Sequence, residues 1–401
     1  MSEIAPVQAG PHATASWAMG RRPYLDNLKV SLIAAIIVIH GILGYSGMVS
    51  AWTYTEVREV TLAPATEIVL FLVAAPFGLF LIALLFLVAG LLTPGSLRRK
   101  GAARFARDRL LRLGIPFAAY VFVIQPVLIY VLAHPLGLLP GSIWQEWFGP
   151  ERRLDTGPLW FVGVLLIFSL GYAGWSALAR RSSGRHVAAA PLRPGGREVS
   201  VRTLAVVVAL VAPASFAIRL IWPYGSESGI TDLNFWEWPV CLSVFGLGLV
   251  AADRGWLTQV PAELARQCGR VTAVGVAGLT ALLVFAGLRD GIDTALGGWS
   301  PAAAAFAVVD AVLTVFGSVW LLALVQRRFD RRYRFGPPLA RAAYGAFIVQ
   351  AVFLLGIAVL LRPLTAPAEV KALLVATGAV LGSFGTTWLI LRFVPGARRV
   401  L

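Results

Sequence analysis

A lysine and a histidine, Lys29 and His40, stand eleven positions apart in YLDNLKVSLIAAIIVIH, a stretch that is otherwise mostly aliphatic. Eleven helical steps of about 100° fall within about 20° of three whole turns, so both side chains share one face, about 16 Å apart along the axis. A cation at one rim of such a helix suits an anionic group. An imidazole kept neutral by apolar surroundings can take a proton as a general base. A second basic cluster follows in FLVAGLLTPGSLRRKGAARFARDRLLRLGIPF, where seven basic residues between 98 and 112 surround one acid, Asp108. Arg109 and Arg112 are three apart and share a helical face; paired guanidinium groups can clamp a phosphate through double hydrogen bonds.

Each cluster also has a plain explanation. Lys29 could anchor its helix at the interface by snorkelling, and the 98–112 loop could face anionic lipid headgroups. His40 resists that treatment, because ionisable groups inside a span are costly and usually face a cavity or a functional path. Asp26, three residues before Lys29, could orient that lysine or form a weak surface pair. Asp310 is the only acid well inside an apolar run, AAAAFAVVDAVLTVFG. It could polarise an imidazole or pair with an arginine such as Arg219. Glu56, Glu59 and Glu67 read as loop acids able to hydrogen-bond a sugar, and Trp144, Trp147, Trp236 and Trp238 as rings for stacking or interface anchoring. His134 reads as a helix-end residue and His186 as part of a linker. The basic stretch RRFDRRYRFGPPLAR (327–341) either adds to an anion-binding mouth or only orients the chain.

The elements that must position these groups follow from composition. The 401 residues are 58% hydrophobic and 14% charged, against roughly a quarter charged in soluble domains. Ten apolar runs of spanning length predict an all-α, polytopic bundle of about ten transmembrane helices. Run one covers about 27–47, run two about 66–92 with an interruption at Pro76, and run ten about 370–391. The chain divides into a polar segment (1–22), the transmembrane domain (23–392) and a tail (393–401), with 180–198 a flexible linker by composition. The net charge of +15 does not point to nucleic acid, because 28 of the 35 Lys and Arg residues fall in the two terminal segments and alternate loops. That asymmetry predicts both termini in the cytoplasm. Two cysteines, Cys241 and Cys268, provide neither a disulfide framework nor a zinc site.

The stretches YLDNLKVSLIAAIIVIH, FLVAGLLTPGSLRRKG…RDRLLRLGIPF and GPLWFVGVLLIFSL resemble the membrane-bound acyltransferase 3 family, in the flavour of its glucan biosynthesis protein C-like branch. The likeness is specific over about residues 21–175 and beyond them extends only to the helix count. It implies a bacterial inner-membrane protein of ten or so helices that moves an acetyl- or succinyl-type group from cytoplasmic acyl-CoA. The acceptor would be a hydroxyl of a carbohydrate or another molecule, with membrane lipids as surroundings and no metal. The family's arginine–ten residues–histidine motif falls on Lys29 and His40, lysine standing where arginine is usual. Its paired arginines fall on Arg109 and Arg112, ahead of Pro116, and its LWF stretch on Leu159, Trp160 and Phe161. The resemblance therefore implies His40 as catalytic base, with Lys29, Arg109 and Arg112 binding acetyl-CoA or succinyl-CoA and with Trp160 in support; Asp26 and Asp310 are supporting candidates from the reading of the residues alone. A glutamate that many relatives carry after LWF is missing from VGVLLIF. From the residues alone the rival class is a proton-coupled transporter or flippase of an amphipathic solute, with His40 and Asp310 as proton relays.

Overall fold

The computed structural model describes residues 22–47, 58–133, 137, 142, 155–182, 199–226, 232–256, 258–289 and 291–397. His134, His186, Glu56, Trp144 and Trp147 lie outside the described residues. Ten helices are long and apolar enough to cross a bilayer: α1 Pro23–Leu43, α2 Pro64–Lys100, α3 Ala102–Leu132, α4 Gly157–Ala179 and α5 Val201–Arg219, then α6 Phe235–Ala252, α7 Ala262–Arg289, α8 Pro301–Arg328, α9 Gly336–Leu360 and α10 Ala368–Phe393. Among the described residues there is no strand. Large apolar side chains such as Leu210, Val274 and Leu381 point outward, at 70%, 72% and 69% exposure. Such a surface is stable when the solvent is lipid, where a helix satisfies its own backbone. The chain is a multi-pass membrane protein.

Two departures from regular helix bear on function. The second apolar run continues straight through Pro76 and Pro94, so α2 spans 37 residues, about 55 Å, and carries its basic end, Arg98–Lys100, beyond the roughly 30 Å of a hydrocarbon core. Neighbouring helices and local adjustment re-satisfy the backbone at such prolines in lipid. In α3 the residues Leu110–Gly114 form a π turn just before Pro116. Proline has no N–H for the carbonyl four residues earlier, here that of Arg112. The hydroxyl of Tyr344 on α9 donates to this carbonyl at 2.7 Å, pinning α3 to α9.

Helices α1, α9 and α10 pack as a close trio because small residues face one another. A Cβ at Gly41 would lie 3.0 Å from Ala376 Cα, and one at Gly345 only 2.3 Å from the Thr387 side chain. Small faces are how helices approach in lipid, where no hydrophobic force drives them together. The N-terminus of α1 is fixed to the 329–331 loop: Asp330 accepts from the Tyr24 amide at 3.1 Å, and Asn27 donates to the Phe329 and Arg331 carbonyls. Lys29 is thereby held beside the basic 327–341 stretch. Cys241 and Cys268 are both buried and form no disulfide.

Candidate active site

A cavity of about 640 Å³ opens among α1, α2, α3, α4, α9 and α10. Its lining is graded along the helices. At one end stand four cations, Lys29 of α1, Arg109 of α3, Arg341 of α9 and Arg392 of α10. Deeper along each helix the lining turns apolar and ends at Ile33, Leu85, Leu113, Phe161 and Phe347. Phe161 and Phe347 meet edge to face at this apolar end, with ring centroids 6.1 Å apart. Lys29 and Arg341 are exposed and Arg109 is half-buried. Arg109 lies over the Phe105 ring at 5.1 Å and donates weakly to Thr93 Oγ1 at 3.5 Å.

His40, unlike Lys29, is not among the residues lining this cavity. It is seven residues past Ile33, about 10 Å further along α1, and half-buried. Its Nδ1 is 3.1 Å from Oε1 of Gln350, a fully buried residue of α9 three positions beyond Phe347. The Gln350 amide nitrogen donates to the Phe347 carbonyl at 2.9 Å. That bond decides the amide's orientation, since the reverse would set oxygen against carbonyl oxygen. Oε1 therefore faces His40, Nδ1 carries the proton, and the lone pair sits on Nε2. Such a partner fixes both tautomer and ring direction.

On the side of His40 away from the cations, a polar network ties α1 to α2 and α10. Ser46 donates to Glu67, Arg58 donates to the Ser46 carbonyl, and Lys371 pairs with Glu59 at 2.6 Å. Glu59 and Glu67, read from the sequence as solvated loop acids, instead hold the α1–α2 connection against α1 and α10.

Several expected residues stand elsewhere. Arg112 does not line the cavity and is exposed. The shared face expected for Arg109 and Arg112 assumes α-helical pitch, whereas the wider π turn from Leu110 changes the angle between them; Arg112 stays near enough for its charge to act on Arg109, but only Arg109 lines the cavity. Trp160 is 8% exposed and packs in the apolar core, while its neighbour Phe161 reaches the cavity. Asp26 is outside the lining. Asp310 is bound to Arg219 at 2.5 Å, with Thr314 donating to its other oxygen at 3.3 Å; Gln350, not Asp310, is the partner of His40. Three participants were missed. Gln350 could have been noticed as the lone amide in the run YGAFIVQAVFLLG; Arg392 and Trp388, both in the lining, carry no sequence signal.

The family model for the acyltransferase domain (Acyl_transf_3) matches residues 22–392. The chain belongs to the acyltransferase 3 family. It is by that membership a membrane acyltransferase. The match takes in α9 and α10, which the sequence resemblance reached only as a helix count and which supply Gln350, Arg341 and Arg392. Comparison with curated proteins gave no match, and comparison with solved structures gave none.

Proposed function

We propose that this acyltransferase 3 protein is an O-acyltransferase with His40 as its general base. The donor is cytoplasmic acyl-CoA of the acetyl or succinyl type, and the acceptor is a hydroxyl of a carbohydrate or glycan, in the manner of the glucan biosynthesis protein C-like branch. The basic side is the cytoplasmic face of a bacterial inner membrane and holds both termini, in keeping with the positive-inside rule. The observation that carries this reading is the His40–Gln350 bond, which puts a lone pair on Nε2 about 16 Å from Lys29 along α1. A donor held by its phosphates at the cation rim needs a long uncharged arm to reach that nitrogen, and the apolar end of the cavity suits the first part of such an arm, as far as Ile33 and Phe347.

Chemically, Nε2 accepts the proton of the acceptor hydroxyl as its oxygen attacks the thioester carbonyl. A C–O bond forms and the C–S bond breaks. The sulfur leaves with the electron pair and recovers the proton from the imidazolium, so His40 ends as it began. Gln350 holds Nδ1–H throughout, and Lys29, Arg109 and Arg341 hold the donor.

The test is transfer of radiolabel from acetyl-CoA to candidate saccharides by purified protein in nanodiscs. His40→Ala is expected to lower transfer by about 10²–10⁴-fold, the range of general-base catalysis, with the protein still folded. Proton-coupled solute uptake with no label moved would replace this reading with the transport one.

A further inference from the structure

Four cations stand around the rim of the cavity. None of the ion pairs among the described residues uses Arg109, Arg341 or Arg392. Arg341 donates only to the Pro337 carbonyl of its own helix, at 3.3 Å. Clustered cations around an open volume of this size call for a polyanion, and guanidinium groups favour phosphate.

Aromatic rings also stand beside these cations, Tyr344 near Arg341 and Trp388 near Arg392. Trp388 of α10 lines the cavity and is 42% exposed. Arg392, one turn further along α10, holds its guanidinium 5.2 Å from the Trp388 ring, within cation–π range. Interface anchoring accounts for an exposed tryptophan near a helix end. It does not account for a ring that lines a cavity alongside Lys29, Arg109 and Arg341. A π-face braced by a guanidinium, with further cations around the same space, is the combination that binds a base joined to phosphates: the ring stacks the base and the cations take the charge.

We propose that Trp388 and Arg392 form a nucleobase platform at the mouth of the cavity, with Arg341, Arg109 and Lys29 receiving the attached phosphates. The site then selects a donor that carries a nucleotide handle over one that carries only the arm. The catalytic arm of the test rests on the acyl-transfer reading; the binding arm does not. An anionic lipid headgroup shares the phosphate chemistry and lacks the base.

Full-length protein in neutral phosphatidylcholine nanodiscs separates these cases. The first measurement is the KM for acetyl-CoA and for acetyl-pantetheine, which lacks the nucleotide. Wild type should prefer acetyl-CoA, and Trp388→Leu should shrink that preference about tenfold, within the range of base–aromatic stacking, while Trp388→Phe restores most of it. The second measurement is calorimetric binding of adenosine 3′,5′-bisphosphate, expected to weaken about tenfold in Trp388→Leu. Both donors responding equally to Trp388→Leu, or nucleotide binding indifferent to it, overturns the platform. So does a rim that binds phosphatidylglycerol but not the nucleotide. Nucleotide binding that depends on Trp388, in a protein that transfers from neither donor, would sink the acyl-transfer reading and leave the platform standing.

Discussion

Arg219 and Arg109 show two ways of placing a guanidinium in one bundle. Arg219, at the end of α5, is 2% exposed and pairs with Asp310 of α8 at 2.5 Å. The rings of Tyr224 and Phe306 lie 5.0 and 5.1 Å from it, and the centre packs against an apolar cluster with no role in the cavity. Burial, then the Glu237 and Asp310 carboxylates, push the Tyr224 phenol well above its ordinary value, so it stays neutral at physiological pH. Arg109 instead has no acid partner among the described residues and lines the cavity. A charge neutralised inside packed protein pins helices together; a charge left uncompensated beside a cavity is set for a ligand. The same residue type therefore takes a structural or a binding role according to what the neighbouring helices bring.

The largest effect comes from breaking that contrast at its structural end. Asp310→Ala strands the Arg219 cation among aromatic rings, and losing one partner of a buried pair costs about 3–5 kcal/mol. Thermal unfolding in detergent should show this as a large drop in midpoint. Arg109→Ala should leave the midpoint close to wild type and raise the donor KM, about tenfold if one charge-assisted hydrogen bond is lost. Equal destabilisation by the two variants would erase the distinction between the centres.

What the sequence could disclose divides along the same line. Lys29 and His40 share a face by arithmetic within one helix, and no other element can change that. The Asp310–Arg219 pair was one of two options for Asp310, since periodicity does not say which helices touch. Gln350, Arg341 and Arg392 reach the site because Gly41 and Gly345 let α1, α9 and α10 close together, which sets α1 against helices hundreds of residues further along the chain. Arg112 was misplaced by assuming regular pitch where α3 carries a π turn, and Pro76 was read as a break that α2 passes through. Within-helix geometry was legible. Partners across helices, and local departures from regular helix, were not.

A smaller effect sharpens the binding side of the comparison by separating the holding of His40 from the holding of donor. Gln350→Leu removes the acceptor for Nδ1–H, and the tautomer and ring direction are no longer fixed. Transfer should lose about tenfold in kcat, in line with losing one well-placed hydrogen bond, with the donor KM unchanged. Gln350→Glu keeps an acceptor oxygen towards Nδ1 but sets its second oxygen against the Phe347 carbonyl, so it should recover only part of the rate. A rise in KM with kcat intact would mean that Gln350 shapes the cavity and does not orient the imidazole.

The smallest effect belongs to Lys29→Arg, which tests whether the rim behaves as a phosphate site at all. Lys29 is exposed at the mouth, where contacts between exposed charges contribute about 0.2–1 kcal/mol. Exchanging one cation for another should therefore move the donor KM by no more than about fivefold. The guanidinium adds a fork that can meet a phosphate at two oxygens, so the direction expected is downward, with kcat unchanged because the reacting bond lies about 16 Å away. A loss of kcat would require Lys29 to act near the chemistry, which its place at the rim opposes. A large rise in KM would mean that the lysine is held by a geometry arginine cannot enter, and the rim would then discriminate by shape and not by charge alone.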